Sequence, residues 1–133
     1  MTNRRDSRGY IACDLDKTLA YYDGKFVSHR DIGEPIPAMV EVIKRHINNG
    51  TTVKIFTARA DDDYPEHDEV ITIIQDWTEK HLGKRLEVTN KKDRHMWLLY
   101  DDRAVQVEPN TGRIIKDGSD TGNLNSSIRA EAE

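Results

Sequence analysis

Shortages in this sequence exclude several classes at once. Its 133 residues hold one cysteine, Cys13, so no internal disulfide can form, and a reducing compartment suits the chain. Aromatic residues make up only 7%. No apolar run approaches the ~18 residues that a membrane-spanning helix needs. The first eight residues, Met1-Thr2-Asn3-Arg4-Arg5-Asp6-Ser7-Arg8, are basic but lead into no apolar stretch with a cleavage site, so a secretory signal is not expected. There is no internal repeat and no low-complexity block. The basic excess of a dedicated nucleic-acid scaffold is missing too: 20 Lys+Arg stand against 24 Asp+Glu, a net charge of −4. A nucleic-acid end held by a few local contacts stays open as a substrate. The five histidines, His29, His46, His67, His81 and His95, lack the paired spacing of a zinc site and are placed on the surface, His46 on the polar side of its helix. These absences describe a soluble cytoplasmic protein with no membrane association.

What remains suits a single domain, which at this length can bury roughly two thirds of its unfolded-chain surface. Residues 1–8 and 117–133 are polar and are expected to form loose tails around one domain over 9–116. Inside it, Tyr10-Ile11-Ala12-Cys13 is a short apolar run ending in Asp14, the pattern of a buried strand. Ile36, Met39, Val40, Ile43 and Ile47 recur at helical spacing, with Pro35 and Pro37 before and Gly50 after. A β-branched run over 52–57 predicts a second strand. A second helix over 65–82 has Val70, Ile73, Ile74, Trp77 and His81 inward and Gly83 as its stop. Short strands are expected at 86–89 and at 96–100, the latter running into Asp101-Asp102. A closing β-hairpin is expected around Pro109-Asn110-Thr111-Gly112, with arms at 104–107 and 113–115. Strand alternating with helix predicts an α/β fold with a mainly parallel sheet, whose functional groups gather at the C-terminal strand ends.

Four polar clusters fall at those ends. Asp14-Leu15-Asp16-Lys17-Thr18 follows the first strand, Thr57-Ala58-Arg59 the second, Lys91-Lys92-Asp93 the third and Asp101-Asp102 the fourth. Carboxylates gathered at adjacent strand ends repel one another unless a cation lies among them. Mg²⁺ suits an all-oxygen donor set completed by phosphate and water. A Thr hydroxyl and a Lys ammonium beside it would suit the oxygens of a transferring phosphoryl group. Thr57 can equally cap a helix, Arg59 can equally make a surface ion pair, and Asp102 can equally pair with Arg103.

Asp-x-Asp-x-Thr, then Thr, then Lys, then Asp-Asp, in that order over residues 9–107, resembles the four signatures of the haloacid dehalogenase (HAD) superfamily of phosphatases. Lys54-Ile55-Phe56-Thr57-Ala58-Arg59 and Tyr100-Asp101-Asp102-Arg103-Ala104-Val105-Gln106-Val107 look like small phage-encoded or prophage-type members. The resemblance implies a Rossmann-like, three-layer, HAD-like fold with a minimal cap or none, since 20–34 leaves room only for a flap holding Tyr21, Tyr22, Phe26 and His29. It implies a Mg²⁺-dependent phosphomonoester hydrolase working through an aspartyl-phosphate. Asp14 would be the nucleophile and Asp16 the acid and base, with Thr57, Arg59 and Lys92 on the substrate phosphate. Asp14, Asp101, Asp102 and the main-chain carbonyl of Asp16 would be on the metal, although Asp102 could instead orient Lys92. The family often has Gly where Lys17 stands, and Lys91 competes with Lys92 for the lysine role. Asp16 points away from carbon–halogen cleavage, because true dehalogenases lack that aspartate.

The expected partner is a phosphorylated substrate, either a small molecule or a nucleic-acid end, and a second copy of the chain is a candidate lid for so open a site. The run Asp61-Asp62-Asp63 would repel polyanions or hold a further cation. A response-regulator receiver fails on the order of its signatures, because Lys92 precedes Asp101-Asp102. A metal-dependent nuclease or phosphodiesterase and a non-catalytic binding domain on the same fold are the competing classes.

Overall fold

In the computed structural model the described residues are 8–25, 28 and 30–116. The expected tails, 117–133 and all of 1–8 except Arg8, fall outside them, as do Phe26 and His29. The chain divides after Asp102 into two compact units, each described by itself.

The first unit is built on four parallel strands: β1 (Tyr10–Cys13), β2 (Val53–Phe56), β3 (Glu87–Thr89) and β4 (Met96–Tyr100), in the order β3-β2-β1-β4. Helices α1 (Pro37–Asn48) and α2 (His67–Leu82) make the connections from β1 to β2 and from β2 to β3. The α/β class with a parallel sheet is therefore observed. Strands β1 and β4 have the expected bounds, while β2 and β3 are shorter than their apolar runs. Helix α1 starts with Pro37 at its first turn, where a missing N–H costs nothing. Helix α2 starts two residues later than Pro65, because Tyr64 and His67 close turns onto the carbonyls of Asp61 and Tyr64. It ends on Gly83, whose φ of 80° allows its N–H to reach the Glu79 carbonyl at 3.0 Å.

Side chains alternate across the sheet, so Ile11, Cys13, Val53 and Ile55 share one face. Ile43 of α1 and Val70, Ile74 and Trp77 of α2 join them in one buried cluster. Burying each large apolar side chain contributes about 1.5–3 kcal/mol. Both helices thus cover the same face, and no described helix covers the other. The described unit has two layers where three were expected. The physical reason is the connection from β3 to β4, which spans only residues 90–95 and is too short for a helix. On the face away from the helices, where Tyr10 and Ala12 are nonetheless buried, the Lys54 ammonium lies 4.1 Å from the centre of the Tyr10 ring, a cation–π contact.

Two details depart from the helical-face pattern. Thr78 is fully buried, donating to the Gln75 carbonyl at 2.8 Å and accepting the Leu86 N–H at 3.1 Å, so it closes the turn into β3. His46 is half-buried, and its Nε2 lies 3.0 Å from the Tyr100 hydroxyl. It does not belong to a purely polar helix side.

The second unit contains β5 (Gln106–Val107) and β6 (Ile114–Lys116), which pair antiparallel. Asn110 takes a φ of 66° in the turn between them. Arg113 pairs with Glu108 at 2.8 Å and, with Thr111, holds the Glu108 carboxyl below the usual range.

After the first strand the chain folds back on itself: Ala20 bridges Pro35, and the Tyr21 N–H donates to the Glu34 carbonyl at 2.7 Å. Gly33 sits inside this pairing, and a Cβ there would come 1.9 Å from the Tyr21 carbonyl oxygen. Its own carbonyl accepts the Trp77 indole N–H at 3.1 Å. Gly33→Ala should therefore lower stability by more than about 2 kcal/mol in urea unfolding. Gly83→Ala, strained in φ but with open space around it, should cost only about 1 kcal/mol. Equal losses would mean that the backbone pairing at Gly33 yields easily.

Candidate functional site

Strand register assembles the acidic end of the sheet. Cys13 pairs with Tyr100 across β1 and β4, so the next residue of each strand, Asp14 and Asp101, emerges side by side. The Asp14 N–H still donates to the Tyr100 carbonyl at 2.9 Å. Asp102 follows, and one oxygen each of Asp14, Asp101 and Asp102 lie within 4.8 Å of one another. Three oxygen donors so placed could hold a metal ion, and a donor set without nitrogen or sulfur suits a hard cation.

Gathering three carboxyl groups makes ionisation costly. Burial, the hydrogen-bonding contact with Asp102 and the charge of Asp101 push the Asp14 carboxyl up to about 7, against the opposing hydrogen bond from the Leu15 N–H at 2.9 Å. Thr18 donates to Asp102 Oδ1 at 3.1 Å and so ties the loop after β1 to the end of β4. Thr18 was not among the expected site residues. Its place in the Asp-x-Asp-x-Thr run was the available signal.

Asp16 takes a different partner. Arg59 grips it bidentately, Nε to Oδ2 at 2.7 Å and Nη2 to Oδ1 at 2.9 Å. The Asp16 carboxylate is therefore engaged outside the three-carboxyl group. Arg59 was expected on the substrate phosphate, yet it is only 6% exposed and faces Asp16, with Nη1 3.4 Å from the Ser28 carbonyl. A planar guanidinium matches a carboxylate better than any other side chain, which accounts for the preference.

Thr57 is buried just past β2. Its hydroxyl accepts the Arg59 N–H at 3.1 Å and its carbonyl accepts the Ala60 N–H at 3.2 Å. It caps a turn, since α2 begins only at His67. A hydroxyl that accepts in this way keeps its own proton to donate.

Lys92 is exposed and makes no ion pair with a described carboxylate. Strand order explains this: β3 lies two positions from β1, roughly 10 Å at the usual strand spacing. Lys91 is committed elsewhere, to Asp62 at 3.1 Å. That contact, with His67 at 3.7 Å from Asp62 and Asp61 accepting the Asp63 N–H at 2.9 Å, employs the acidic run in ion pairs and a turn. Lys17 adopts a φ of 71°, the left-handed region that favours glycine.

No family model and no curated protein matches the chain. Among solved structures, the conserved protein coded by a locus from Bacteroides thetaiotaomicron is 22% identical, with 92% of this chain and 90% of that one covered and a TM-score of 0.49.

The raised Asp14 carboxyl has a consequence for stability with a definite sign. Its ordinary value is 3.8 and its folded value about 7, so between these the folded state binds the extra proton. Folding is then favoured at low pH, and the benefit is lost as pH rises through 7. In metal-free buffer the wild type should lose at least about 1 kcal/mol, or ~4 °C in melting temperature, between pH 5 and 8 relative to Asp14→Asn. Asp14→Asn should be the more stable protein at pH 8. Parallel melting curves for the two proteins across this range would refute the assignment.

Proposed function

We propose that this chain is a Mg²⁺-dependent phosphomonoester hydrolase with a HAD-like fold, minimally capped, acting through an aspartyl-phosphate on Asp14. The single observation that carries the reading is the convergence of Asp14, Asp101 and Asp102 within 4.8 Å at the ends of adjacent parallel strands. The order of signatures in the sequence supports it, because Asp16, Thr57 and Lys92 follow in the order that the resemblance to HAD phosphatases implies.

In this mechanism the Asp14 carboxylate attacks phosphorus while the bond to the leaving oxygen breaks, and Asp16, entering the step protonated, gives that oxygen its proton and ends as the carboxylate that Arg59 binds. Asp16 then takes a proton from a water whose oxygen attacks the same phosphorus, releasing inorganic phosphate and restoring Asp14. The Thr57 hydroxyl, with its proton free to donate, holds a phosphoryl oxygen. Lys92 would have to swing from its exposed loop toward the strand ends to add positive charge. Mg²⁺ held by Asp14, Asp101 and Asp102 would offset the charge on the carboxylates and the phosphoryl group.

The substrate is a phosphorylated small molecule or a nucleic-acid end, with nucleotide and nucleic-acid phosphates favoured. Segment 20–34 is too short for a folded cap, so the site would admit a large substrate, and a second copy of the chain would be its natural lid. A cytoplasmic location fits the lone, buried Cys13.

The test is inorganic phosphate release from a panel of nucleotides, sugar phosphates and a 3′-phosphorylated oligonucleotide. Release should need Mg²⁺ and fall more than about 1,000-fold in Asp14→Asn. Cleavage inside the oligonucleotide without phosphate release would favour a nuclease. No turnover with metal bound would favour a binding domain, and turnover unaffected by Asp14→Asn would remove the nucleophile.

A further inference from the structure

Asp16 stands on a loop. It lies beyond the end of β1, beside the left-handed Lys17, and only single bridges tie Asp16 to Ala20 and Ala20 to Pro35. No strand or helix fixes the direction of its side chain, yet a group that moves protons must be held to within about half an ångström. The holding group in this structure is Arg59. Its fork takes both Asp16 oxygens, at 2.7 and 2.9 Å, a geometry that fixes position and plane together.

Arg59 is itself anchored at both ends. Its backbone N–H is bound by the Thr57 hydroxyl at 3.1 Å, and its Nη1 lies 3.4 Å from the Ser28 carbonyl. Its burial keeps this edge of the fork away from solvent, whereas a phosphate-binding arginine has to present its fork to an incoming ligand. The turn following β2 thus connects Thr57, through Arg59, to a carboxylate 43 residues earlier.

We infer that Arg59 is a positioning residue: it acts through Asp16, orienting the carboxyl group that serves as acid and base, and does not itself bind the substrate phosphate. The inference rests on the proposed phosphomonoesterase reading and goes beyond it by assigning Arg59 to the proton-transfer group.

A double-mutant cycle read on two esters with Mg²⁺ tests it. Arg59→Gln should lower kcat/KM about 100-fold on an alkyl phosphate, whose alkoxide needs a proton to leave. On p-nitrophenyl phosphate, whose phenolate leaves unaided, the loss should be less than about 10-fold. In an Asp16→Asn background the same change should cost less than about 3-fold on either ester, because the group it positions is gone. Arg59→Lys keeps the charge without the fork, should fall between wild type and Arg59→Gln, and carries the cycle if the glutamine variant does not fold. Equal losses on the two esters would overturn the inference, as would a loss that persists undiminished in Asp16→Asn. Both results would make Arg59 a phosphate-binding group. A wild type that releases phosphate from neither ester would overturn the functional reading instead, a result distinct from any in the cycle.

Discussion

The register that sets Cys13 opposite Tyr100 places the next residues of β1 and β4 side by side, just where the ladder of backbone hydrogen bonds runs out. Asp14 and Asp101 cannot avoid one another while both strands keep their pairing. Asp102 adds a third carboxyl group, and the Thr18 hydroxyl helps to hold it there. Burial, the hydrogen-bonding contact with Asp102 and the charge of Asp101 together push the Asp14 carboxyl up to about 7, so protonation relieves part of the crowding. The fold supplies the energy that keeps these groups together. Ile11 and Cys13 in β1 are packed under Ile43, Val70 and Ile74, so the strand that carries Asp14 has little freedom to retreat.

Much of this was legible in the chain. The apolar runs 10–13 and 96–100 each end in aspartate, and both are strands with those bounds. The first is informative because β1 is buried along its whole length, which leaves little room for polar residues; the second is an edge strand that is only half-buried. Helix faces were legible for the same reason, though only Ile43 of the α1 stripe is fully buried. That no crossover helix joins β3 to β4 was also available, because the six residues between them are too few for one. The family resemblance pointed the other way, and the length of the connection prevailed.

What stayed hidden depends on strand order and on pairing between distant charged residues. Nothing in the sequence states that β3 lies two strands from β1, and so Lys92 could be expected beside Asp14 when it is exposed on a loop instead. Arg59 and Asp16 are 43 residues apart, and each has several chemically acceptable partners in a chain with 33% charged residues. His46 is similar. A helical wheel shows which side of α1 it occupies, but the Tyr100 hydroxyl that receives it comes from β4.

The two kinds of acidic partner at this end of the sheet are handled by different physics, and the division has a chemical use. Asp14, Asp101 and Asp102 crowd one another, with the Leu15 N–H on Asp14 and the Thr18 hydroxyl on Asp102, and gathering three like charges favours a proton or a cation among them. Asp16 is bound on both oxygens by the Arg59 guanidinium. A divalent cation arriving at these strand ends would therefore be drawn to the first set and not to Asp16. It would displace a proton from Asp14 wherever the pH lies below about 7. Arg59 thus gives the two aspartates of Asp-x-Asp different partners: Asp14 stays with the three-carboxyl group, and Asp16 is held by the guanidinium. The left-handed φ of 71° at Lys17 turns the chain just after Asp16, where the Lys17 N–H donates to the Ala20 carbonyl at 2.8 Å and so ties the loop that carries Asp16 back onto itself.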